Sequence, residues 1–282
     1  MPKCWVADAL RPLASLPAAA LARASGVFAD IDDTLTTDGK LTAAAYSAME
    51  RLHAAGLIVV PITGRPAGWC DHIARMWPVD AVVGENGAFW FAHDDAGRKL
   101  VKRFLDDDAT RAKNRSRLVA VRDRILAEIP GAALASDQLY READLAIDFC
   151  EDVPRLPDAA IDRIVAIMRE AGMTAKISSI HVNGWFGRYD KLGMTRTLMQ
   201  ERFAVDLDAR RSDFVFVGDS PNDAPMFRYF PLSVGVANVR AFRERLEHPP
   251  AYVTEAASGA GFVEAAERLL AARRGARPQP DQ

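Results

Sequence analysis

The chain has 282 residues, a formal net charge of -2, and an ordinary balance of 49% hydrophobic and 26% charged residues. This length suits one large domain or two smaller ones, and no basic stripe of the kind that binds nucleic acid is present. No apolar run reaches the roughly 20 residues that a membrane span needs. We therefore expect a globular protein with neither a nucleic acid nor a membrane as its partner.

The three cysteines, Cys4, Cys70 and Cys150, are widely spaced and odd in number. They predict neither a disulfide framework nor a close-spaced zinc site, and they fit a reducing, cytoplasmic setting. At the two ends of the chain, residues 1–25 are expected to form a surface-packed extension. Residues 273–282 offer almost nothing to bury and are expected to form a flexible tail.

The first third of the chain alternates buried strands with helices. Val27–Ile31, Leu57–Ile62 and Ala81–Gly84 are short apolar runs typical of strands buried on both faces of a parallel sheet. Between them, Thr42 is a good N-cap for a helix ending at Gly56, and a second helix extends to about Trp77. This order predicts an α/β layer with right-handed crossovers.

The middle third follows a different pattern, in which hairpins alternate with long helices. The predicted elements are a hairpin over 89–104, helices over 108–129 and 158–171, and strands over 145–149 and 177–186. They indicate a separate α+β unit with an antiparallel sheet. From Lys191 the first pattern resumes, with a helix over 192–203, strands over 214–217, 232–236 and 251–253, and a closing helix over 261–272. The α+β unit is therefore inserted into the α/β part.

The first predicted strand ends in three carboxylates, at Asp30, Asp32 and Asp33. We expect Asp30 and Asp32 to face one site together, because residues two apart in a strand share a face. Clustered carboxylates repel each other and are costly to desolvate, so such a pair favours a bound cation. The alternative is an acidic loop that only caps the following segment.

Polar side chains also follow other predicted core strands, where open α/β sheets bind their ligands. A hard, oxygen-ligated cation suits the carboxylates, and magnesium is favoured because it commonly shares its ligands with substrate phosphate. A hydroxyl and a lysine at the same edge would complete a phosphoryl-transfer site, where positioning and charge neutralisation carry most of the catalysis. The candidate groups are Asp30 with Asp32, Thr63, Lys191, and Asp219 with Asp223.

In order and spacing, four stretches resemble the four motifs of the haloacid dehalogenase superfamily. They are Asp30-Ile31-Asp32-Asp33-Thr34-Leu35, Ile62-Thr63-Gly64-Arg65, Asp190-Lys191-Leu192 and Gly218-Asp219-Ser220-Pro221-Asn222-Asp223. The inserted unit resembles the α+β cap of the Cof-like, sucrose-phosphatase and mannosyl-3-phosphoglycerate-phosphatase branch. Glu85-Asn86-Gly87-Ala88 is similar to the stretch that leads into that cap.

The resemblance implies a fold and its boundaries. It predicts a Rossmann-like parallel-sheet core with an inserted α+β cap domain. The core would comprise 26–87 and 188–272 and the cap 88–187, between the extension at 1–25 and the tail at 273–282.

The resemblance also implies a role for each motif residue. Asp30 would be the nucleophile that takes the phosphoryl group, and Asp32 would protonate the leaving oxygen and then activate water. Thr63 and Lys191 would hold the phosphoryl oxygens. Asp219 would bind magnesium with the Asp30 carboxylate and the Asp32 backbone carbonyl. The remaining supporting residues would be Asp223, Asn222 and Ser220.

Substrate contacts are expected from the second motif and from the cap. Thr63, Gly64, Arg65, Lys191 and Asn222 are the candidates in the motifs, and His181 and Asn183 are the cap candidates, with Arg141 a weaker one. Arg65 has an equally good alternative, which is an ion pair with a loop carboxylate.

The predicted function is a magnesium-dependent phosphatase acting on a small phosphorylated metabolite, with sugar phosphates or glycosyl-glycerate phosphates favoured. Aspartate at position 32 favours hydrolysis, because relatives that preserve the aspartyl-phosphate carry threonine there. A sugar phosphomutase similar to phosphomannomutase is the enzymatic alternative, and a non-catalytic binding protein on the same fold is the other. We expect a monomer or a homodimer.

Overall fold

The computed structural model describes residues 10–178 and 180–276. Of these, 10–61, 78–80 and 203–276 form one compact unit, called unit 1 below. Residues 62–77 and 81–202, apart from Ser179, form the second, called unit 2. The predicted boundaries of core and cap stay predictions.

The described residues contain strands of two to six residues. In chain order they are β1 (Arg11–Pro12), β2 (Gly26–Ala29), β3 (Thr36–Thr37), β4 (Lys40–Leu41), β5 (Ile58–Pro61), β6 (Val82–Gly84), β7 (Phe89–Asp94), β8 (Lys99–Phe104), β9 (Ala133–Leu134), β10 (Asp144–Asp148), β11 (Thr174–Ile177), β12 (His181–Trp185), β13 (Phe214–Gly218), β14 (Leu232–Gly235) and β15 (Tyr252–Val253).

The α-helices of the described residues range from single turns to long amphipathic helices. They are α1 (Ala18–Ala22), α2 (Ala43–Ala54), α3 (Ala67–Met76), α4 (Asp108–Glu128), α5 (Asp158–Glu170), α6 (Lys191–Phe203), α7 (Leu207–Arg210), α8 (Ala224–Tyr229) and α9 (Ser258–Ala276).

Unit 1 is built on a six-stranded sheet with the order β1-β15-β14-β13-β2-β5, and every neighbouring pair is parallel. Its central strands β2 and β13 are buried along their whole length, as the continuous apolar runs predict. Phe28 of β2 stacks on Phe214 of β13 with ring centroids 5.2 Å apart. The Rossmann-like parallel sheet is therefore confirmed.

The two ends of the described chain are built into unit 1. β1 pairs with β15, so the described part of the predicted extension supplies an edge strand, and residues 1–9 lie outside the described residues. The closing helix is longer than predicted at both ends. The side chain of Asn238 accepts the Ser258 N–H (2.9 Å), and the Arg273 side chain donates to the carbonyl of Ala24 (2.6 Å). Residues 273–276, expected in the tail, are helical, and 277–282 lie outside the described residues.

Unit 2 contains two antiparallel sheets, with the orders β6-β7-β8 and β11-β12-β10-β9. The predicted hairpin is β7 and β8. The third apolar run of the sequence, β6, differs from expectation. It pairs antiparallel with β7, and its parallel contact is a single bridge between Val83 and Ile62. β6 forms its hydrogen bonds with the hairpin that follows it rather than along a parallel neighbour. The pattern of apolar residues does not show which partner a buried strand pairs with.

The core of unit 2 lies between the four-stranded sheet and helices α4 and α5. Both helices present apolar residues at helical spacing, including Ile125 of α4 and Ile164 of α5, which are fully buried. Leu145 and Ile147 of β10 complete the cluster from the sheet. The separate α+β unit predicted from the middle third is thereby confirmed. Over the described residues, none of the helices combines the length and hydropathy that crossing a bilayer would require.

We predict that Ile125→Ala lowers the free energy of unfolding of unit 2 by about 2–5 kcal/mol, because the truncation leaves a cavity. Leu126 is the matched control, since it is the next residue of the same helix and is 39% exposed, against 0% for Ile125. Leu126→Ala should cost less than about 1 kcal/mol. Urea unfolding measures both values, and equal losses would contradict this account of the core.

Candidate active site

The backbone turns sharply after β2, at Asp30. The Asp30 N–H donates to the carbonyl of Val217 (3.0 Å), which continues the ladder with β13 by one more bond. The carbonyl of Ile31 then accepts from the N–H groups of Leu35 (2.9 Å) and Thr36 (3.0 Å). The strand therefore ends at Ala29, and the expectation that Asp30 and Asp32 share a strand face was wrong. The dense set of local hydrogen bonds to Ile31 favours a turn instead.

The second acidic segment of unit 1 follows β13. Asp223 folds back on it, and its Oδ2 accepts from the N–H groups of Asp219 (3.2 Å) and Ser220 (3.4 Å). Gly218 allows this approach, because a Cβ at that position would lie 2.7 Å from Asp223 Oδ2. The side chain of Asn222 accepts a hydrogen bond from the Ser220 hydroxyl (2.7 Å), which orders the turn.

Asp30, Asp219 and Asp223 form a buried acidic cluster in unit 1. One carboxylate oxygen from each lies within 4.8 Å of the others, and the three residues are 5%, 3% and 0% exposed. Carboxylate oxygens at this spacing are the donor set that magnesium and similar hard cations bind. The residues fit a divalent cation. The side chain of Asp32 is half-buried and lies outside this three-residue cluster.

Two neutral side chains hold Asp219 in place. The Thr34 hydroxyl donates to Asp219 Oδ1 (3.2 Å), and the Asn238 amide donates to Asp219 Oδ2 (3.3 Å). Asn238 also donates to the carbonyl of Asp33 (3.1 Å), so it ties the two acidic segments together. Sequence reasoning missed Asn238, because a single asparagine in a loop carries no signal of its own.

In unit 2, the second motif forms a buried loop after Ile62. Thr63 is fully buried, and its hydroxyl accepts the N–H of Arg65 (3.0 Å). The Thr63 N–H donates to the carbonyl of Val83 (2.9 Å). The carbonyl of Gly64 accepts from Arg141 Nη1 (3.0 Å). The loop is therefore fixed by backbone and side-chain partners.

Arg65 lies among carboxylates, as the alternative reading of this residue expected. Its Nη1 and Nη2 each donate to Glu151 Oε1 (both 3.3 Å), Nη1 lies 3.6 Å from Asp137 Oδ2, and its guanidinium stacks over Trp69. His181 Nε2 lies 2.8 Å from the other oxygen of Glu151. The contact with His181, followed by the charge of Arg65, lowers the pKa of Glu151 to about 2 against the raising effect of burial. Sequence reasoning missed Glu151.

Arg141, a weak substrate candidate, is instead a buried structural cation. Its guanidinium donates two bonds to Asp137 (2.9 and 3.0 Å) and one to Asp144 Oδ1 (2.9 Å). Its side chain is 1% exposed, and these bonds together with the one to Gly64 occupy both of its terminal nitrogens. Burial raises the pKa of Asp144, against the lowering effect of Arg141. Arg141 thus binds the second-motif loop to β10.

The remaining candidates of unit 2 are also buried. Asn183 of β12 donates to Asp144 Oδ2 (3.2 Å), and Lys191 begins α6 at 4% exposure. Unit 2 thus places Thr63, Gly64, Arg65, His181 and Asn183 in one network of buried polar groups. Unit 1 places Asp30, Asp219 and Asp223 in the acidic cluster, with Asn222 beside it in the turn after β13.

Comparisons with known proteins agree with the motif pattern. A family model described as haloacid dehalogenase-like hydrolase matches residues 27–113. A phosphoglycolate phosphatase of Methanoculleus marisnigri is 26% identical over 241 residues, which cover 85% of this chain and 94% of that protein.

Solved structures share the fold. A protein of Thermoplasma acidophilum has a TM-score of 0.66 at 17% identity, covering 88% of this chain and 98% of its own. The sucrose-phosphatase of Synechocystis has a TM-score of 0.59 at 17% identity, covering 87% of this chain and 98% of its own. At such identities the likeness shows the fold alone.

We predict that the stabilisation due to Glu151 is lost as the pH falls. The folded-state pKa is about 2, below the ordinary value of 4.5, so the unfolded state takes up a proton first as the solution is acidified. The difference in free energy of unfolding between wild type and Glu151→Gln should shrink as the pH falls from about 4.5 towards 2. Urea titrations between pH 7 and 3.5 test this, and a gap that stays constant over that range would contradict the assignment.

Proposed function

We propose that the chain is a haloacid dehalogenase-like hydrolase that acts on phosphoric monoesters, and that it is a magnesium-dependent phosphatase of a small phosphorylated metabolite. The observation that carries the proposal is the acidic cluster of unit 1. Three buried carboxylates at the ends of β2 and β13 have oxygens within 4.8 Å of one another. A cluster of this kind suits a cation that is shared with a phosphate group.

Asp30 is the proposed nucleophile. Its carboxylate attacks the phosphorus atom of the substrate, the ester oxygen leaves, and an aspartyl-phosphate forms. The ladder bond from the Asp30 N–H to Val217 fixes the backbone from which this carboxylate projects. A nucleophile held by the sheet rather than by a free loop needs little reorganisation before it attacks.

Asp32 is the proposed acid and base. As an acid it protonates the leaving oxygen, and as a base it then takes a proton from the water that hydrolyses the aspartyl-phosphate. Its half-buried position in the turn suits this role, because the group has to exchange protons with water. This assignment favours hydrolysis over storage of the phosphoryl group.

Magnesium would be held by the carboxylates of Asp30 and Asp219 and the Asp32 carbonyl, with Asp223 in support. When bound there, the ion supplies positive charge that offsets the repulsion among the carboxylates and the phosphate oxygens. Thr34 and Asn238 orient Asp219 for this task through their hydrogen bonds to its two oxygens. In the proposal, the Thr63 hydroxyl and the Lys191 ammonium hold the transferring phosphoryl oxygens.

The substrate has two candidate classes. Sugar phosphates are the class that the sequence motifs favour, with Gly64, Arg65, Asn222, His181 and Asn183 as the proposed contacts. Phosphoglycolate is the second candidate, and it is favoured by the name of the Methanoculleus marisnigri relative, which this chain matches over 94% of that protein's length.

The arrangement of arginines favours a hydrolase over a phosphomutase. A mutase has to hold a bisphosphate intermediate, which calls for cationic side chains that are available to the substrate. Along α4, Arg115 pairs with Glu142 (3.0 Å) and Arg124 pairs with Glu170 (2.7 Å). These charges are compensated within unit 2 and lie on a solvated surface.

A cytoplasmic setting and a monomer or homodimer complete the proposal. Within the described part of the chain, Cys70 and Cys150 are thiols rather than halves of a disulfide, which suits a reducing compartment. No partner besides the phosphorylated small molecule is proposed.

We predict that the wild type, supplied with magnesium, releases inorganic phosphate from at least one member of a panel of sugar phosphates, phosphoglycolate and an aryl phosphate. Asp30→Asn should lower turnover at least about 1,000-fold with an unchanged circular dichroism spectrum, because an amide cannot act as the nucleophile. Asp38→Asn is the matched control, since Asp38 is an exposed aspartate in the same segment.

Each outcome of this assay has one reading. No phosphate from any panel member would refute the hydrolase proposal, and turnover by Asp30→Asn would refute the role of Asp30. Conversion of a hexose 1-phosphate to its 6-phosphate would establish the mutase instead. The highest kcat/KM within the panel chooses between sugar phosphates and phosphoglycolate.

A further prediction concerns the metal. Calorimetric titration should detect magnesium binding to the wild type, and Asp219→Asn should weaken it at least tenfold, because one of the three clustered carboxylates is neutralised. Chelation with EDTA should abolish phosphate release, and added magnesium should restore it. Equal magnesium affinity of wild type and Asp219→Asn would show that the acidic cluster is not the metal site.

A further inference from the structure

The turn between β6 and β7 has an unusual backbone. Glu85, Asn86 and Gly87 have φ angles of +41°, +56° and +108°, so three consecutive residues lie in the left-handed region. Glycine adopts such angles readily, but glutamate rarely does. A run of this kind persists only where the surrounding contacts hold it in place, and such strain concentrates at functional sites.

One side of this turn is hydrogen-bonded to the second motif. The N–H of Glu85 donates to the carbonyl of Arg65 (3.1 Å), and the N–H of Asn86 donates to the carbonyl of Thr63 (3.0 Å). The Asn86 amide lies against Gly64, where a Cβ would come within 3.2 Å of it. The left-handed turn therefore forms backbone hydrogen bonds with the residues on both sides of Gly64.

The Glu85 side chain accepts further hydrogen bonds from the backbone near the second motif. One oxygen accepts the N–H groups of Ala67 (2.9 Å) and Glu142 (2.9 Å), and the other accepts those of Ala143 (2.6 Å) and Asp144 (3.1 Å). Glu85 is fully buried, so each of these donors depends on it. The carboxylate fixes the start of α3, just after the second motif, against the segment that leads into β10.

The other side of the turn lies against the third motif. A Cβ on Gly87 would stand 2.1 Å from the carbonyl oxygen of Asp190 and 3.0 Å from the backbone nitrogen of Lys191. The side chain of Asp190 accepts the Gly193 N–H (2.7 Å) at the start of α6. The backbone of Gly87 thus sets the position from which the Lys191 side chain departs.

We propose that Glu85, Asn86 and Gly87 form a positioning element that fixes the backbones of Thr63 and Lys191 relative to each other. Neither Glu85 nor Gly87 touches the substrate in this account. The inference rests on the proposed function, in which Thr63 and Lys191 hold the phosphoryl oxygens.

The test is Gly87→Ala, compared with Gly172→Ala. Gly172 has a φ of +82° and no atom within 4 Å of the position that an added methyl group would take, so alanine there suffers a similar backbone penalty without displacing a neighbour. Alanine at position 87 has to push Asp190 and Lys191 away. Kinetics on the best panel substrate, inhibition by inorganic phosphate, and thermal unfolding are measured for both variants and the wild type.

We expect Gly87→Ala to lower kcat about 10- to 100-fold, because a displacement of about 1 Å in a catalytic group can cost that much. Inorganic phosphate should inhibit it more weakly than it inhibits the wild type. Gly172→Ala should keep the wild-type kcat and phosphate inhibition. A folded Gly87→Ala with the kcat of Gly172→Ala would overturn the inference.

Glu85→Gln is the second variant, and it decides the question if Gly87→Ala does not fold. The amide keeps the shape of the carboxylate but replaces one oxygen, which accepts two N–H groups, with a donor. It should lower kcat at least tenfold and weaken phosphate inhibition. A lower unfolding temperature with wild-type kcat and phosphate inhibition would make Glu85 a stabilising residue only and would overturn its positioning role.

The wild type separates this inference from the function on which it rests. A wild type without phosphate release on any substrate removes the proposed function and the positioning role together. A wild type that turns over, combined with unaffected Gly87→Ala and Glu85→Gln variants, removes the positioning role alone.

Discussion

The mutual repulsion of buried carboxylates is the constraint on which unit 1 depends. Asp30, Asp219 and Asp223 have oxygens within 4.8 Å of one another and are almost fully buried. Like charges at such distances in a medium of low polarity are costly unless donors or a cation compensate them. Asp223 receives two backbone N–H groups, and Asp219 receives a hydroxyl and an amide. These donors fix the positions of the two carboxylates, and in the proposed function a divalent cation is bound by the cluster.

In unit 2, the buried carboxylates described above bind a cation or several backbone N–H groups. Asp144 accepts a hydrogen bond from Arg141, and Glu85 accepts four from backbone N–H groups. Burial nevertheless raises the pKa of Glu85 above its ordinary value, and the neighbouring Asp144 adds to the rise. A network of this kind, with its hydrogen bonds satisfied, favours one arrangement of the chain. It surrounds the second motif, whose hydroxyl holds a phosphoryl oxygen in the proposed function.

The sequence was sufficient for the fold class and for most elements, because buried strands and amphipathic helices leave strong periodic signals. It failed where tertiary hydrogen bonds decide. β6 pairs with the following hairpin, β2 ends at Ala29, and α9 runs from Ser258 to Ala276. Among the polar groups, the motifs drew attention to the aspartates of unit 1, whereas Asn238 of unit 1 and Glu151 of unit 2 were missed. Both residues contact partners that are distant in the chain, and the sequence around each of them does not predict these contacts.

In the proposed mechanism the phosphoryl group passes first to Asp30 and then to water. Two successive displacements at phosphorus give net retention of configuration, whereas direct attack by water gives inversion. The most direct test is hydrolysis, in water of a third oxygen isotope, of a phosphorothioate substrate whose phosphorus carries sulfur and the other two oxygen isotopes. We predict thiophosphate with retained configuration. Inverted thiophosphate would contradict the mechanism, because water would then have attacked the substrate without an aspartyl-phosphate.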